Sequence, residues 1–400
     1  MQLPTLNQAN LEGKKVLLRA GFDVPIEDGK VHDTTRIDAV VPTMKYILDH
    51  GASLILIAHQ GRPKGEPNPE FSQKPLVPVL QTLLGVKVQF ADKCDGEDAI
   101  AMSATLKAGE VLLLENLRFE RAEKSEDESE RDALGKTLAS LADVYVNDAF
   151  TNCHRDHASM TSVPKFIGEK YMGLNVQQEV EGLSKITKTP VQPVTLIISG
   201  LKMETKIPVI HQFLDQGDDI LVGGGVANTM LLASGKDVGT SKVDEEFVAK
   251  GEEILAESSS IENAKIHLPV DGVCAVDPSG EISEVDVDAI PDGVAMFDIG
   301  PRTIAHYVQI IAASKTILWN GPMGMFEVGK FAAGTKAIAD AIRDATARGA
   351  TSIIGGGDTL DFHERYGYSL DAYTFVSTAG GAMLDFISGK KLPALEALMG

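Results

Sequence analysis

The sequence predicts an α/β protein of two doubly wound, Rossmann-like parallel-sheet domains joined by a hinge helix. Three observations lead there. The chain has 400 residues, about twice the length of an ordinary domain. Short runs rich in Val, Ile and Leu alternate with helix-forming stretches, the pattern of buried parallel strands in βα repeats. One stretch of helical spacing, Leu174, Val180, Leu183 and Ile186 ahead of Pro190, divides those runs into two sets.

In the first set, strands are expected at residues 15–19, 53–59, 111–115 and 144–147, with a weaker one at 86–90. In the second they fall at 194–199, 219–222, 265–269, 295–299, 315–319, 351–354 and 373–377. Segment 171–189 connects the sets. The predicted division is therefore an amino-terminal domain at 1–172, a hinge helix at 173–189 and a second domain at 190–387. The acidic stretch 120–132 reads as a solvated helix face.

Composition narrows the function. Hydrophobic residues make up 44 % and charged residues 24 % of the chain, values of an ordinary globular protein. A formal net charge of −20 repels nucleic acid and anionic membrane surfaces, so an anionic ligand must meet local positive charge. Three widely spaced cysteines, Cys94, Cys153 and Cys274, fit neither a disulfide framework nor a zinc ribbon, which suits a reducing cytoplasm. Residues 1–10 lack the pattern of a secretory signal, and no apolar run is long enough to span a membrane.

In open α/β sheets ligands bind beyond the carboxyl ends of the strands, and there the two halves differ. The first half is cationic: Arg19 ends one strand, His59 and Arg62 follow the second, Arg118 the third, and His154, Arg155 and His157 the fourth. Any one of these would be an ordinary surface charge. Together, on one edge of an acidic protein, they predict a site for a small, multiply charged anion, because guanidinium forks grip phosphate and carboxylate oxygens in pairs.

The second half is glycine-rich at the same places: Gly223 to Gly225, Asn320-Gly321-Pro322, Gly355 to Thr359, and Gly380-Gly381. One such cluster makes a tight turn; four at equivalent positions predict backbone amides and helix amino termini around a nucleotide. Residues 324–331 (GMFEVGKF) have P-loop spacing, but Phe331 stands where a Ser or Thr would hold Mg²⁺. No G-x-G-x-x-G opens a helix after the first strand of either half, which disfavours a nicotinamide dehydrogenase.

Lys202 and Lys206 follow the 194–199 strand, within reach of phosphoryl oxygens or as plain solvated lysines. Asp358 beside three glycines is either a Mg²⁺ ligand or a helix cap. Cys153 among histidines has nothing else to support acyl chemistry. His50, His211, His267 and His363 are scattered.

RAGFDVP (19–25), Arg36-Ile37, HQGRP (59–63), ENLRF (115–119), DAF…HR (148–155), K-x-x-x-K (202–206), GGGVAN (223–228), DIGP (298–301), WNGPMGMFE (319–327) and GGGDT (355–359) come in an order that resembles the phosphoglycerate kinase family over essentially the whole chain. The resemblance implies transfer of a phosphoryl group between 1,3-bisphosphoglycerate and ADP, giving 3-phosphoglycerate and ATP, with Mg²⁺ and as a monomer. It places the acid at Gly21, Phe22, Asp23, Arg36, His59, Gln60, Gly61, Arg62, Arg118 and Arg155. It places the nucleotide at Lys206, Gly223, Gly224, Gly225, Asn320, Glu327, Gly355, Gly356, Gly357, Asp358 and Thr359, with Asp358 on the metal. Arg36 and Lys202 are the implied catalytic pair, and residues 388–400 would lie back against the amino-terminal domain.

A phosphoryl group in flight spreads charge over three oxygens, so cations and positioning matter more than an acid or base. With the two substrates on different domains, closure about residues 171–189 would align them and exclude water.

The sequence departs from the family in one place that touches the acid site. The family pattern is R-x-D-x-N-x-P, and here Gly21 and Asp23 occupy its Asp and Asn positions. Residues two apart on a strand share a face, so Asp23 is expected to supply the missing carboxylate. Ser199 and Ala379 replace glycines at two phosphate-side turns, with small effects expected. The competing reading is a catalytically altered relative that binds nucleotide and a different phosphorylated acid.

Overall fold

A computed structural model describes residues 3–260 and 264–400. Met1 and Gln2, part of the start read as lacking a secretory signal, lie outside it. The chain forms two units, one running to Glu181 and including Lys391–Gly400, the other Gly182–Lys390.

The first unit is built on six strands: β1 (Lys15–Ala20), β2 (Ser53–Ile57), β3 (Val88–Ala91), β4 (Val111–Leu114), β5 (Val144–Asp148) and β6 (Glu169–Met172), in the order β3-β4-β2-β1-β5-β6. All pairings are parallel. Every residue of β2, β4 and β5 is buried, which is why apolar residues dominate these strands. β6 is an edge strand of sequence EKYM, half-exposed along most of its length, and carries no such signal. Leu392, Ala394, Leu395 and Leu398 are buried in this unit, where the Ala394 N–H donates to the Cys153 carbonyl at 3.2 Å.

The second unit repeats the plan with β7 (Val194–Ile198), β8 (Asp219–Val222), β9 (Lys265–His267), β13 (Thr316–Asn320), β14 (Thr351–Gly355) and β15 (Phe375–Ser377), in the order β9-β8-β7-β13-β14-β15. A smaller antiparallel sheet, β10 (Asp271–Ala275), β11 (Ser283–Asp286) and β12 (Ala295–Ile299), is inserted between them in the order β11-β10-β12. The run at 295–299 is therefore not part of the parallel sheet, contrary to expectation. Its apolar composition satisfies a small core around Cys274, Met296 and Leu231 equally well, and composition cannot distinguish the two settings. β10 and β11 were not predicted, because DGVCA and SEVD lack a β-branched run.

The helix Leu174–Thr187 carries the chain from one unit to the other. Its first turn is tied to the first unit: Asp148 Oδ1 accepts the Val176 N–H at 3.0 Å and Thr43 Oγ1 accepts the Leu174 N–H at 2.9 Å. Side-chain oxygens thus satisfy amides that the helix itself leaves unpaired. Gly173 is required there, since a Cβ would fall 2.3 Å from Asp148 Oδ1.

The acidic stretch 120–132 is only partly a solvated face. It holds a turn at Arg121–Lys124 and the start of the helix Glu128–Ala139, and Glu123 within it is completely buried.

Candidate active site

Strands β4, β2, β1 and β5 are adjacent, so the parallel sheet delivers the loops after them to one edge. Arg118 sits in the turn Leu117–Phe119, His59 just past β2, Arg19 inside the end of β1, and Arg155 beyond the turn Phe150–Asn152. Arg36, on the short helix Thr35–Asp38, reaches the same place: its Nη1 lies 3.7 Å from Asp23 Oδ2 and donates to the Asp23 carbonyl.

Asp23 ties this edge together. Its Oδ1 accepts the Gly61 N–H at 2.8 Å and its Oδ2 lies 3.5 Å from His59 Nε2. Burial raises its carboxyl pKa, but contacts with His59, Gly61 and Arg36 outweigh burial and hold the group well below the usual carboxylate range. Residues 21–25 lie beyond the end of β1, so Asp23 reaches the site from an irregular turn, not by the strand alternation that was expected.

Two buried amides shape the loops. Asn116 gives Nδ2 hydrogens to the Gln60 and Phe71 carbonyls, each at 2.8 Å, while its Oδ1 accepts from the Gln60 and Arg118 amides at 3.2 and 3.0 Å. It fastens the His59 and Arg118 loops to each other, a role that sequence inspection missed. Gln60, expected to touch substrate, instead turns its carboxamide to the Val24 backbone, accepting its N–H at 3.2 Å and donating to its carbonyl. Phe22, also expected at the acid, has its ring completely buried in the core.

The cations remain available. Arg118 donates Nη1–H to the Gly61 carbonyl at 2.6 Å, and burial together with Arg155 and Arg19 pushes its pKa down to about 10. Arg155 is half-buried, and Arg62 and Arg36 are exposed. A cationic group held down by burial and like charges gains most when an anion arrives.

In the second unit, two cavities of about 370 and 380 Å³ share Gly200, Leu201 and Asp358. The first is lined by Lys202, Lys206, Gly356, Gly357, Asp358, Gly380 and Gly381. The ten-residue helix Gly357–Tyr366 opens onto it behind Gly356, whose φ of +106° favours glycine, so unpaired amides and the positive end of the helix dipole face the space. Asp358 is therefore inside the first turn, not the cap. Lys206 Nζ donates to Asn320 Oδ1, and burial pushes its pKa down to about 8, opposed by the charge of Asp358.

The second cavity has Met296, Phe297, Pro322, Met325 and Phe326 as walls and Glu327 and Lys242 at its polar margin, a shape suited to a flat, largely apolar ring system with polar substituents.

Asn320 and Thr359 line the first cavity, whereas Gly223 and Gly355 line neither. Asn320 divides its amide between Lys206 and the Gly355 carbonyl, the latter at 2.7 Å, and Thr359 Oγ1 accepts the Gly321 N–H at 2.9 Å. Gly355 belongs to β14, and Gly223 gives its N–H to the Ile198 carbonyl at 3.3 Å. Gly224 and Gly225 do line the second cavity, packed so closely on the 199–201 loop that a Cβ would come within 2.8 Å of Ser199 Oγ and 3.1 Å of Leu201 Cα. Ser199 is accommodated by donating its hydroxyl to the Pro322 carbonyl at 2.6 Å. Cys153 is buried, and burial pushes its thiol up to about 12, which leaves it no nucleophilic character.

Residues 6–390 match the family described as Phosphoglycerate kinase. The chain belongs to the phosphoglycerate kinase family. It is accordingly an enzyme, a transferase and kinase of glycolysis. It is 41 % identical over 401 residues to a phosphoglycerate kinase of Leptospira biflexa, covering 100 % of this chain and 99 % of that protein. It is 43 % identical over 397 residues to a cytosolic phosphoglycerate kinase of Triticum aestivum, covering 98 % and 97 %. The phosphoglycerate kinase structure from Coxiella burnetii superimposes with a TM-score of 0.89 at 33 % identity, over 100 % of this chain and 99 % of that one. The one from Pyrococcus horikoshii gives 0.85 at 33 % identity, over 99 % and 98 %. Two six-stranded parallel sheets are thus the architecture of phosphoglycerate kinases, and the alternative of a catalytically altered relative receives no support from these likenesses. Among the described residues no helix is long and apolar enough to cross a membrane.

Proposed function

We propose that the cationic edge of the first unit takes 3-phosphoglycerate or 1,3-bisphosphoglycerate, that the paired cavities of the second take ADP or ATP, and that the phosphoryl group passes directly between them. The observation that carries this reading is the separation of the two chemistries: clustered guanidinium groups on one unit, and glycine amides with a half-buried lysine and an apolar recess on the other.

His59, Arg62, Arg118 and Arg155 hold the phosphate and carboxylate ends of the acid, and Arg36 faces the reacting end. Lys206 and the amides of Gly356 and Gly357 take nucleotide phosphates, Glu327 the ribose hydroxyls, and Gly224 and Gly225 the base region. Lys202, exposed at the rim of the first cavity, and Arg36 neutralise the charge that spreads over the transferring oxygens.

Asp358 is the carboxylate that lines the phosphate cavity, and one carboxylate beside phosphate oxygens is the donor set Mg²⁺ uses. When bound there with the nucleotide, Mg²⁺ would neutralise phosphate charge. Because the ligands are assigned to different units, transfer requires the units, divided as residues 1–172 and 190–387 about a hinge helix at 173–189, to close on each other. A monomer completes the proposal, placed in the cytoplasm in keeping with the cytosolic name of the wheat relative.

Calorimetric titration of three proteins tests the separation of sites. Arg62→Ala should weaken 3-phosphoglycerate at least about tenfold and leave ADP unchanged, and Glu327→Ala should do the reverse. Loss of both affinities in either variant would contradict the reading.

A further inference from the structure

A buried line of hydrogen bonds runs beneath the cationic edge of the first unit, and its direction is forced at each link. Glu123 is completely buried and accepts twice from Ser159, the N–H at 2.9 Å and the hydroxyl at 2.7 Å. The single hydroxyl proton of Ser159 is thereby committed, so Ser159 Oγ meets Arg19 Nε at 3.0 Å as an acceptor. Arg19 is also completely buried; it donates through Nη1 to the Ala20 carbonyl, and its Nη2 lies 2.9 Å from His59 Nδ1. A guanidinium has donors only, so Nδ1 of His59 must accept. The proton of the neutral ring is left on Nε2, which is the atom 3.5 Å from Asp23 Oδ2.

We propose that Arg19, held by Ser159 and Glu123, is a positioning residue that keeps His59 neutral with its proton on Nε2, so that His59 offers a donor to the acid substrate. The inference rests on the assignment of this edge as the acid site, but the tautomer is a property of the free protein.

The surroundings of His59 support it. Asp23, from the turn after β1, pulls the ring toward the charged form. Against it stand burial, Arg19 from β1 and Arg118 from the turn Leu117–Phe119, and together they push the His59 pKa down to about 3. His157, likewise neutral because burial and the neighbouring Arg19, Arg118 and Arg155 depress it, faces the same group. Among the described residues Arg19 is thus the cation hydrogen-bonded to the ring, and it both repels a second ring proton and occupies the nitrogen that would take it. Glu123 supplies the opposite charge that makes a buried guanidinium tolerable.

The test is nitrogen-15 NMR of the histidine side chains in the free full-length protein, titrated between about pH 5 and 8, where an unperturbed histidine changes charge. Wild-type His59 should remain the neutral Nε2–H form throughout. Arg19→Gln, which removes the charge, should make His59 titrate inside this window, and Arg19→Lys, which restores charge and a donor, should move it out again. The ratio of KM for 3-phosphoglycerate in Arg19→Gln to that in wild type should then change with pH, the titration of the ligand itself cancelling. If Arg19→Gln does not fold, the wild-type spectra decide: a ring that titrates in the window, or that carries Nδ1–H, overturns the proposal. So does an Arg19→Gln protein whose His59 stays neutral. If the spectra agree and 3-phosphoglycerate does not bind, the positioning stands and the assignment of the acid site falls.

Discussion

Asp23 Oδ1 accepts the backbone N–H of Gly61 at 2.8 Å, so the carboxylate of this loop stands two residues beyond Gly21. The cost is that an anion now stands among the cations meant for the substrate, with its Oδ2 shared between Arg36 at 3.7 Å and His59 at 3.5 Å. A Cβ at Gly21 would find its nearest neighbours 3.7 Å away or more, so a side chain can start there without a clash. The double change Gly21→Asp and Asp23→Asn keeps the net charge but moves the carboxylate off Arg36 and His59, and should lower KM for 3-phosphoglycerate by about three- to tenfold with kcat little altered. An unchanged or raised KM in steady-state assays would contradict this.

Gly61 has a φ of +59°, and a Cβ there would fall 2.4 Å from the Phe71 ring. Gly61→Ala combines backbone strain with a steric clash, and should cost about 1–3 kcal/mol by chemical denaturation. Because Asp23 and Arg118 both bind the Gly61 peptide groups, KM for 3-phosphoglycerate should rise while ADP affinity stays the same.

Lys206 should take up a proton when nucleotide phosphates bind. Burial lowers its pKa to about 8 in the free protein, and neighbouring anions favour the charged form. Titrating ADP at pH 8 in two buffers of different ionisation enthalpy should reveal up to about half a proton absorbed, falling away toward pH 6.5. Lys206→Met should abolish it.

Two buried carboxyls should make stability fall as pH rises. Burial pushes Asp148 and Asp298 up to about 7, opposed by hydrogen bonds that include the Val176 N–H for Asp148 and the Gly334 and Ile299 amides for Asp298. A folded-state pKa above the unfolded value means the contribution is fully present below about pH 4 and is lost as pH climbs through about 7. Asp298→Asn should therefore gain on wild type by about 1–4 kcal/mol between pH 4.5 and 8. Denaturation curves at the two pH values check the difference.

The parallel sheets were legible because their central strands are buried on both faces and so read as apolar runs such as VLLL and SLILI. β6 and β11 were not, since EKYM and SEVD are polar edge strands whose order comes from their neighbours. The cations at the strand ends were legible for the same topological reason. What escaped notice was the support beneath them: Asn116 fastening two loops, Gln60 turned to Val24, and Glu123 hidden in a stretch whose other charges are solvated. A buried acidic residue is identical in sequence to an exposed one, and only the presence of Arg19 and Ser159 across 36 or more residues of chain tells them apart.

The central claim is tested most directly by ATP consumption dependent on 3-phosphoglycerate and Mg²⁺, coupled to NADH oxidation through glyceraldehyde-3-phosphate dehydrogenase, in wild type and Lys202→Ala. The account predicts robust wild-type turnover and a loss in kcat of about a hundredfold or more in the variant, as expected for removing a charge that faces the transferring oxygens. Absence of wild-type turnover in a protein that still binds ATP, or full activity in Lys202→Ala, would contradict it.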